Sequence, residues 1–350
     1  MTSPRDRALR LRDAAKEDPD AVNPDRVLEL LRYPERPVQR VASEAFLLLL
    51  TEHPSVGTSA VERIAYLLRQ TDPETAAERD AAVEFMETLL LCLARIATAD
   101  PERVYTARQE VLDVLEELEG PLAAPASVCL VQFVEADPLP LVAHVDRFTA
   151  LLDADDPTVR RNAAHILLQL ASSHPSAVEP SLPTLRRRLT DSDTETAKKA
   201  AVVLGLAARG SPDEVASSVP ALADALDAED RGVRANAAGA LADIATGQPE
   251  PVAAYTETLV ANLSDEAAPV RRNATAALSR LADAETDLEG LAHGALIELL
   301  DDPNSTVRAT ACRALGNMGS PVALELLRSI AAEDEADTVR WAARRALEDQ

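Results

Sequence analysis

The residues of this chain most able to do chemistry are five histidines, three cysteines and an arginine that keeps returning. Nucleophilic or metal chemistry needs such groups to converge, a nucleophile beside a base or several ligands at short spacing. Here they are scattered. His53 and His174 each precede a proline, in "TEHPS" and "SSHPS", while His144, His165 and His293 stand alone. Cys92, Cys129 and Cys312 are isolated and odd in number, with no Cys-x-x-Cys pair. They read as small buried hydrophobes of a reducing cytoplasm. Gly-x-x-x-x-Gly-Lys, Gly-x-Gly-x-x-Gly and Gly-x-Ser-x-Gly are all absent. The expectation is a chain with no catalytic residue, no cofactor and no metal site, and so not an enzyme.

The arginine differs because it is written repeatedly. It follows valine in "DPTVRRNAAHILLQLA" (156–171), "APVRRNATAALSRL" (268–281) and "STVRATACRAL" (305–315). The small residue after it falls at Ala126, Ala163, Ala200, Ala237, Ala274 and Ala311, every step being 37. Val159, Thr196, Val233, Val270 and Val307 keep the same step, as do Phe148, Leu185, Leu222, Leu259 and Leu296. A fixed period of this size is the mark of a repeat array. Upstream, Ala42 precedes Ala163 by three periods plus ten, which places about ten extra residues within 73–119. Downstream, Val307 to Val339 is 32, a shortened last unit.

Each period must fold as two helices. Residues 175–193 open with a proline, suited to a first helical turn, and carry Val178, Leu182, Leu185 and Leu189 on one stripe. Residues 156–171 carry Val159, Ala163, Ile166, Leu167 and Leu170 on another, with Asp156 placed to cap the helix, as Asp193 and Asp230 are in later units. No stretch alternates as a strand does. Neither helix can hide its stripe alone, so the pairs must stack. The expected organisation is an N-terminal capping helix at 1–23, repeats at 24–72, an irregular pair of long helices at 73–119 projecting near Glu78 and Glu117, regular repeats at 120–319 and a shortened capping repeat at 320–350.

The recurring Asp-x-x-Val-Arg-x-x-Ala-x-x-x-Leu resembles the HEAT-repeat family, armadillo-like helical proteins that include the HEAT-like repeats of bilin lyases. The resemblance covers roughly residues 24–350, about nine units. It implies an all-α, right-handed α-solenoid with first helices outside and second helices lining a concave groove. Thr196 and Ala197, in place of valine and arginine, blur one unit. The absence of any His-Glu dipeptide argues against the iron-binding hydroxylases of this family, and nothing marks a chromophore site.

On a helical wheel Arg160, Arg234, Arg271 and Arg308 lie at one edge of the buried stripe, where HEAT arginines form a ladder with aspartates of neighbouring turns. Asn162, Asn236 and Asn273 lie at the other edge, placed to bond inter-repeat backbone. Opposite the stripe, on the groove, fall Arg161, His165, Lys198, Arg272, Arg313, Trp341 and Arg345. So do small residues, among them Gly205, Ala235, Gly239, Ala276, Ser279, Ala309 and Gly316. Trp341 is the one aromatic expected to be exposed.

Charge sets the function classes. The chain carries −24, and only three of its basic residues are lysines, Lys16, Lys198 and Lys199. Acid surplus with lysine depletion resembles the proteins of salt-in halophiles, and a halophilic archaeon is the expected source. The five second helices, expected at 157–172, 194–209, 231–246, 268–283 and 304–319, nevertheless carry +9, against −33 for the rest. The expected function is a cytoplasmic scaffold or adaptor that holds a protein segment in its groove. A nucleic-acid-associated protein is the alternative, opposed by the net charge, and a HEAT-like lyase or other enzyme is a second. The longest apolar run, Ala45–Leu50, is far too short for a membrane span, so no membrane partner is expected.

Overall fold

The computed structural model describes residues 2–71, 79–116, 122–284 and 292–349, and among these every regular element is helical. The chain is an all-α, HEAT-like solenoid of stacked helix pairs. It divides into two compact units, 1–169 and 170–350.

The first unit starts with α1 (Pro4–Glu17), which Ser3 and Asp6 close in a reciprocal capping box ahead of a first-turn proline. Pairs follow: α2 (Pro24–Leu31) with α3 (Arg36–Glu52), then α4 (Val61–Arg69) with α5 (Arg79–Ala97). Next come α6 (Pro101–Val104) and α7 (Arg108–Glu116) with α8 (Ala123–Ala136), and α9 (Val145–Leu151) with α10 (Pro157–Ser173). The helices α1, α3, α5 and α8 pack in succession. Phe46, Phe133 and Phe148 are fully buried here; in the Phe148 column the second unit carries Leu185, Leu222, Leu259 and Leu296 instead.

The expected pair of long helices at 73–119 is not a pair. α5 closes the unit opened by α4, and the stretch from Pro101 opens the next unit against α8. That second stretch is also not one long helix: α6 gives way to a 3-10 turn at Tyr105–Ala107 before α7 begins. Glu78 and Glu117, the expected projecting ends, lie outside the described residues.

The second unit contains α11 (Leu182–Arg188) with α12 (Thr194–Ala207), then α13 (Pro212–Ala216) and α14 (Val219–Asp224) with α15 (Arg231–Gly247). It continues with α16 (Pro249–Ala253) and α17 (Thr256–Ala261) against α18 (Ala268–Asp283), α19 (His293–Glu298) with α20 (Ser305–Met318), and α21 (Pro321–Glu333) with α22 (Asp337–Glu348). The second helices α12, α15, α18, α20 and α22 pack one upon the next in a single layer. Their capping follows the loop aspartates: Asp193 accepts from the Thr196 N–H, and Asp230 from those of Gly232 and Val233.

First helices break where a single helix was expected. Residues 175–193 form a 3-10 turn, Pro175–Ser181, then α11, which ends at Arg188. Pro180 and Pro183 explain this, since each lacks an N–H and crowds the carbonyl a turn earlier. The stripe survives the break, with Val178, Leu182, Leu185 and Leu189 all buried. Four positions expected on the groove floor are instead packed. Gly205 and Gly316 are buried, and a Cβ at Gly205 would stand 2.9 Å from Ala240 Cα on the adjoining helix. These glycines let neighbouring second helices approach closely. Ala235 and Ser279 are buried as well.

Candidate functional site

Arginine at the wheel edge is held in a repeating arrangement. Arg234 donates through Nε and Nη2 to the two carboxylate oxygens of Asp265, at 2.7 and 3.2 Å. Arg271 does the same to Asp302 at 2.7 and 2.9 Å, and Arg308 to Asp334 at 2.9 and 3.0 Å. Each guanidinium also turns Nη1 to carbonyls of its own preceding loop, those of Ala228 and Glu229 for Arg234, Asp265 and Glu266 for Arg271, and Asp302 for Arg308. Asp265 and Asp302 thus take one arginine on the side chain and the next on the backbone. Arg160 makes the equivalent loop contacts, to the carbonyls of Ala154 and Asp155. Forked pairing of this kind uses the planar donor set that lysine lacks.

The ladder carboxyls respond to that pairing. Asp334 lies below the usual aspartate value, first because Arg308 hydrogen-bonds it. For Asp265 and Asp302 burial pushes upward, but the Arg234 and Arg271 guanidinium bonds and the Ala267 and Asn304 N–H bonds bring each below it.

One rung is missing, and both of its partners are missing together. The arginine column reads Ala197 in α12, and the acceptor 31 residues later, where Arg234 and Arg271 find Asp265 and Asp302, reads Ala228. No buried guanidinium or carboxylate is left unpaired there. Lys198, expected on the groove, takes over the span: its Nζ lies 3.0 Å from Glu195 and 3.2 Å from Asp230 in the next loop. These bonds raise its pKa. Thr196 fits the buried valine slot because its hydroxyl donates to Asp193 at 2.8 Å.

The asparagine column ties second helices together. Asn236 donates to the Lys198 carbonyl at 3.1 Å and Asn273 to the Ala235 carbonyl at 2.7 Å. Asn162 differs from the expectation by donating to the Ser127 hydroxyl, at 2.9 Å, instead of backbone. Sequence reasoning missed Asn317, which donates to the Ser279 hydroxyl and carbonyl. It lies outside the column, so the period gave no signal for it.

The remaining groove residues divide. His165 lies 3.1 Å from Glu135, Arg161 is half-buried on α10, and Arg345 forms an exposed pair with Asp349 at 3.1 Å. Arg272 and Arg313 are exposed, and neither has an acidic partner among the described residues. Arg272 Nε donates to the side-chain Oδ1 of Asn273 at 3.1 Å, and Arg313 Nη2 to the Thr310 hydroxyl at 3.3 Å. Trp341 is 65% exposed. It is not the one exposed aromatic, because Tyr66 on α4 is 44% exposed beneath the Arg63 guanidinium.

Arg313 and Trp341 meet. With Ala309, Asp337, Thr338 and Ala342 they line an open pocket of about 410 Å³ between α20 and α22. Asp337 carries no repeat signal, because its position reads Pro157, Thr194, Arg231, Ala268 and Ser305 in earlier units, and Thr338 varies likewise, with Glu195, Gly232 and Pro269 in its place. No other chemistry gathers nearby. Cys92, Cys129 and Cys312 are buried, and burial pushes the thiols up, Cys129 and Cys312 to about 12. At neutral pH they are thiols, poor nucleophiles. Among the described residues no three His, Cys, Asp or Glu side chains are placed to hold a metal.

A family model for HEAT repeats matches residues 182–279 and 256–348, both stretches in the second unit. No curated protein matches the chain. Among solved structures it is similar to the crystal structure of an engineered protein from the Northeast Structural Genomics Consortium, with 25% identity and a TM-score of 0.77 over 99% of this chain and 93% of that one. Two further engineered proteins from that consortium each cover 59% of this chain and nearly all of their own, at 29% and 28% identity with TM-scores of 0.51 and 0.52.

Proposed function

We propose that this chain, a HEAT-repeat protein over residues 182–348, is a non-enzymatic scaffold that binds a protein partner on the exposed face of its second helices. Arrays of this architecture serve widely as extended binding surfaces. One observation carries the reading here. In a molecule of charge −24, Arg272 and Arg313 stand exposed on adjoining helices with no acidic partner among the described residues. The ladder arginines pair with aspartates of the following loop, whereas these two make only neutral hydrogen bonds among the described residues, to Asn273 and Thr310.

We also read the acid surplus as an adaptation to concentrated salt and place the protein in the cytoplasm of a halophile. No helix among the described residues is long and apolar enough to cross a membrane.

The test is affinity capture at high salt with the native chain and with an Arg272→Glu, Arg313→Glu variant, captured proteins being identified by mass spectrometry. A defined protein retained by the first and lost by the second supports the reading. Equal recovery on both, with circular dichroism unchanged, removes this face. Turnover of a small molecule by the purified chain alone would replace the reading with an enzymatic one.

A further inference from the structure

We infer that the pocket between α20 and α22 is an anchor for an acidic peptide segment, taking one of its apolar side chains against Trp341 while flanking carboxylates meet Arg313 and Arg272. The inference rests on the scaffold reading of this face and goes further by naming the kind of segment bound and where its side chain lodges.

Three features of the pocket define the guest. Its floor is methyl groups: Ala309 is half-buried and Ala342 buried, so the floor offers no hydrogen bond to a polar head. Its wall is an indole left 65% exposed. Exposed aromatics rimmed by small residues are the usual seats of interface anchors. An opening of about 410 Å³ admits a leucine- or phenylalanine-sized side chain with room for adjoining backbone.

The charge around the pocket adds a further constraint. Arg313 borders the pocket, and Arg272 stands one helix back without an acidic partner among the described residues. The second-helix layer sorts small and large residues to suit an extended guest. At the wheel position of Arg272 the residues that reach the surface are Arg272, Ala309 and Trp341, Ala235 of α15 being buried. One turn on the successive helices present Gly239, Ala276, Arg313 and Arg345. A large residue in one row faces a small one in the other at α18 and α20, leaving a path beside each arginine. Guanidinium groups without partners favour carboxylates, singly or as a forked pair.

Nucleic acid also offers anions and flat rings, but the overall charge favours the peptide. The chain's −24 charge opposes a polyanion, and a short peptide carries far less charge than a strand of comparable length.

Trp341 is the single tryptophan of the chain, so its fluorescence reports on this pocket alone. The probes are a capped twelve-residue Gly/Ser peptide with one central leucine flanked by two Asp or Glu residues on each side, the same peptide with serine for leucine, a version with lysines for the acids, and an oligo(dT) of twelve. The leucine peptide should produce a saturable blue shift, and the serine and lysine peptides at least tenfold weaker binding. Ala309→Leu, which fills the pocket from a half-buried helical position, and Arg313→Glu should each weaken the leucine peptide at least tenfold with helicity unchanged. Equal responses to the leucine and serine peptides, no saturable response at all, or saturation by oligo(dT) alone would overturn the inference. If capture by the native chain still depends on Arg272 and Arg313 when the leucine peptide fails, the scaffold reading survives and only the anchor falls.

Discussion

At the scale of single residues, the two kinds of arginine on the second helices have different jobs, and their surroundings show it. Arg271 and Asp302 are nearly enclosed, with side chains 12% and 3% exposed, and removing one member of such a pair leaves the other desolvated without a counter-charge. Asp302→Ala should cost about 2–4 kcal/mol in chemical denaturation. Asp283→Ala, which breaks an exposed pair with Arg280, should stay within about 0.5 kcal/mol. Equal costs would show that the ladder is ornamental. The same carboxyls set an acid limit. Their folded values lie below the unfolded one, so the stability they add is fully present above about pH 5 and lost as pH falls through the folded values. Unfolding free energy should therefore decline below about pH 4, and less steeply in an Asp302→Asn variant. The ladder arginines and the asparagine column were legible in the sequence because each recurs at one step. The capture of Lys198 by Asp230 was not legible, since it depends on how far one loop reaches toward the preceding helix.

At the scale of elements, packing between second helices sets what each position tolerates. Gly205→Val drives a side chain into Ala240 backbone at 2.9 Å and should destabilise by about 1–3 kcal/mol. A Cβ added at Gly294, within α19, would meet no atom of the described residues within 4 Å, so Gly294→Ala should stabilise by about 0.5–1 kcal/mol. Thermal melts of the two variants should move in opposite directions. The vacant rung makes a sharper test. Ala197→Arg alone buries an unpaired cation and Ala228→Asp alone adds an idle acid, but together they rebuild the arrangement of Arg234 with Asp265. A double-mutant cycle should give a favourable coupling of about 1–3 kcal/mol, and a coupling near zero would mean that α12 and its following loop cannot adopt the rung geometry. Helix boundaries in the second helices were readable to within two residues: the sequence-based spans 231–246 and 268–283 meet Arg231–Gly247 and Ala268–Asp283. First helices were less readable. Their apolar stripe announces one continuous helix, while the prolines inside it break the backbone without disturbing which residues are buried.

At the scale of the whole molecule, charge is the dominant fact. A surplus of 24 negative charges repels itself in dilute buffer, and about 1 M salt shortens the range of that repulsion to ~3 Å. The melting temperature should rise steadily from 0.1 to 2 M potassium chloride, and a fall across that range would count against the salt-adapted reading. The period of 37 made the solenoid legible almost from the second helices alone. Insertion length says how many residues are added without saying which neighbour each helix chooses.

The ladder has a grain, because every rung reaches forward. Arginine belongs to one helix pair and its carboxylate to the loop of the pair that follows, as Arg234, Arg271 and Arg308 show. Arg340, at the far edge, turns back onto the carbonyls of Asp334 and Glu335 in its own loop and onto Asp337. Stripping α21 and α22 would strand the Arg308 guanidinium, a cation that cannot shed its proton. Stripping pairs from the opposite direction would strand only aspartates, which a proton can neutralise. Such a stack peels more easily along one direction than the other, like split timber.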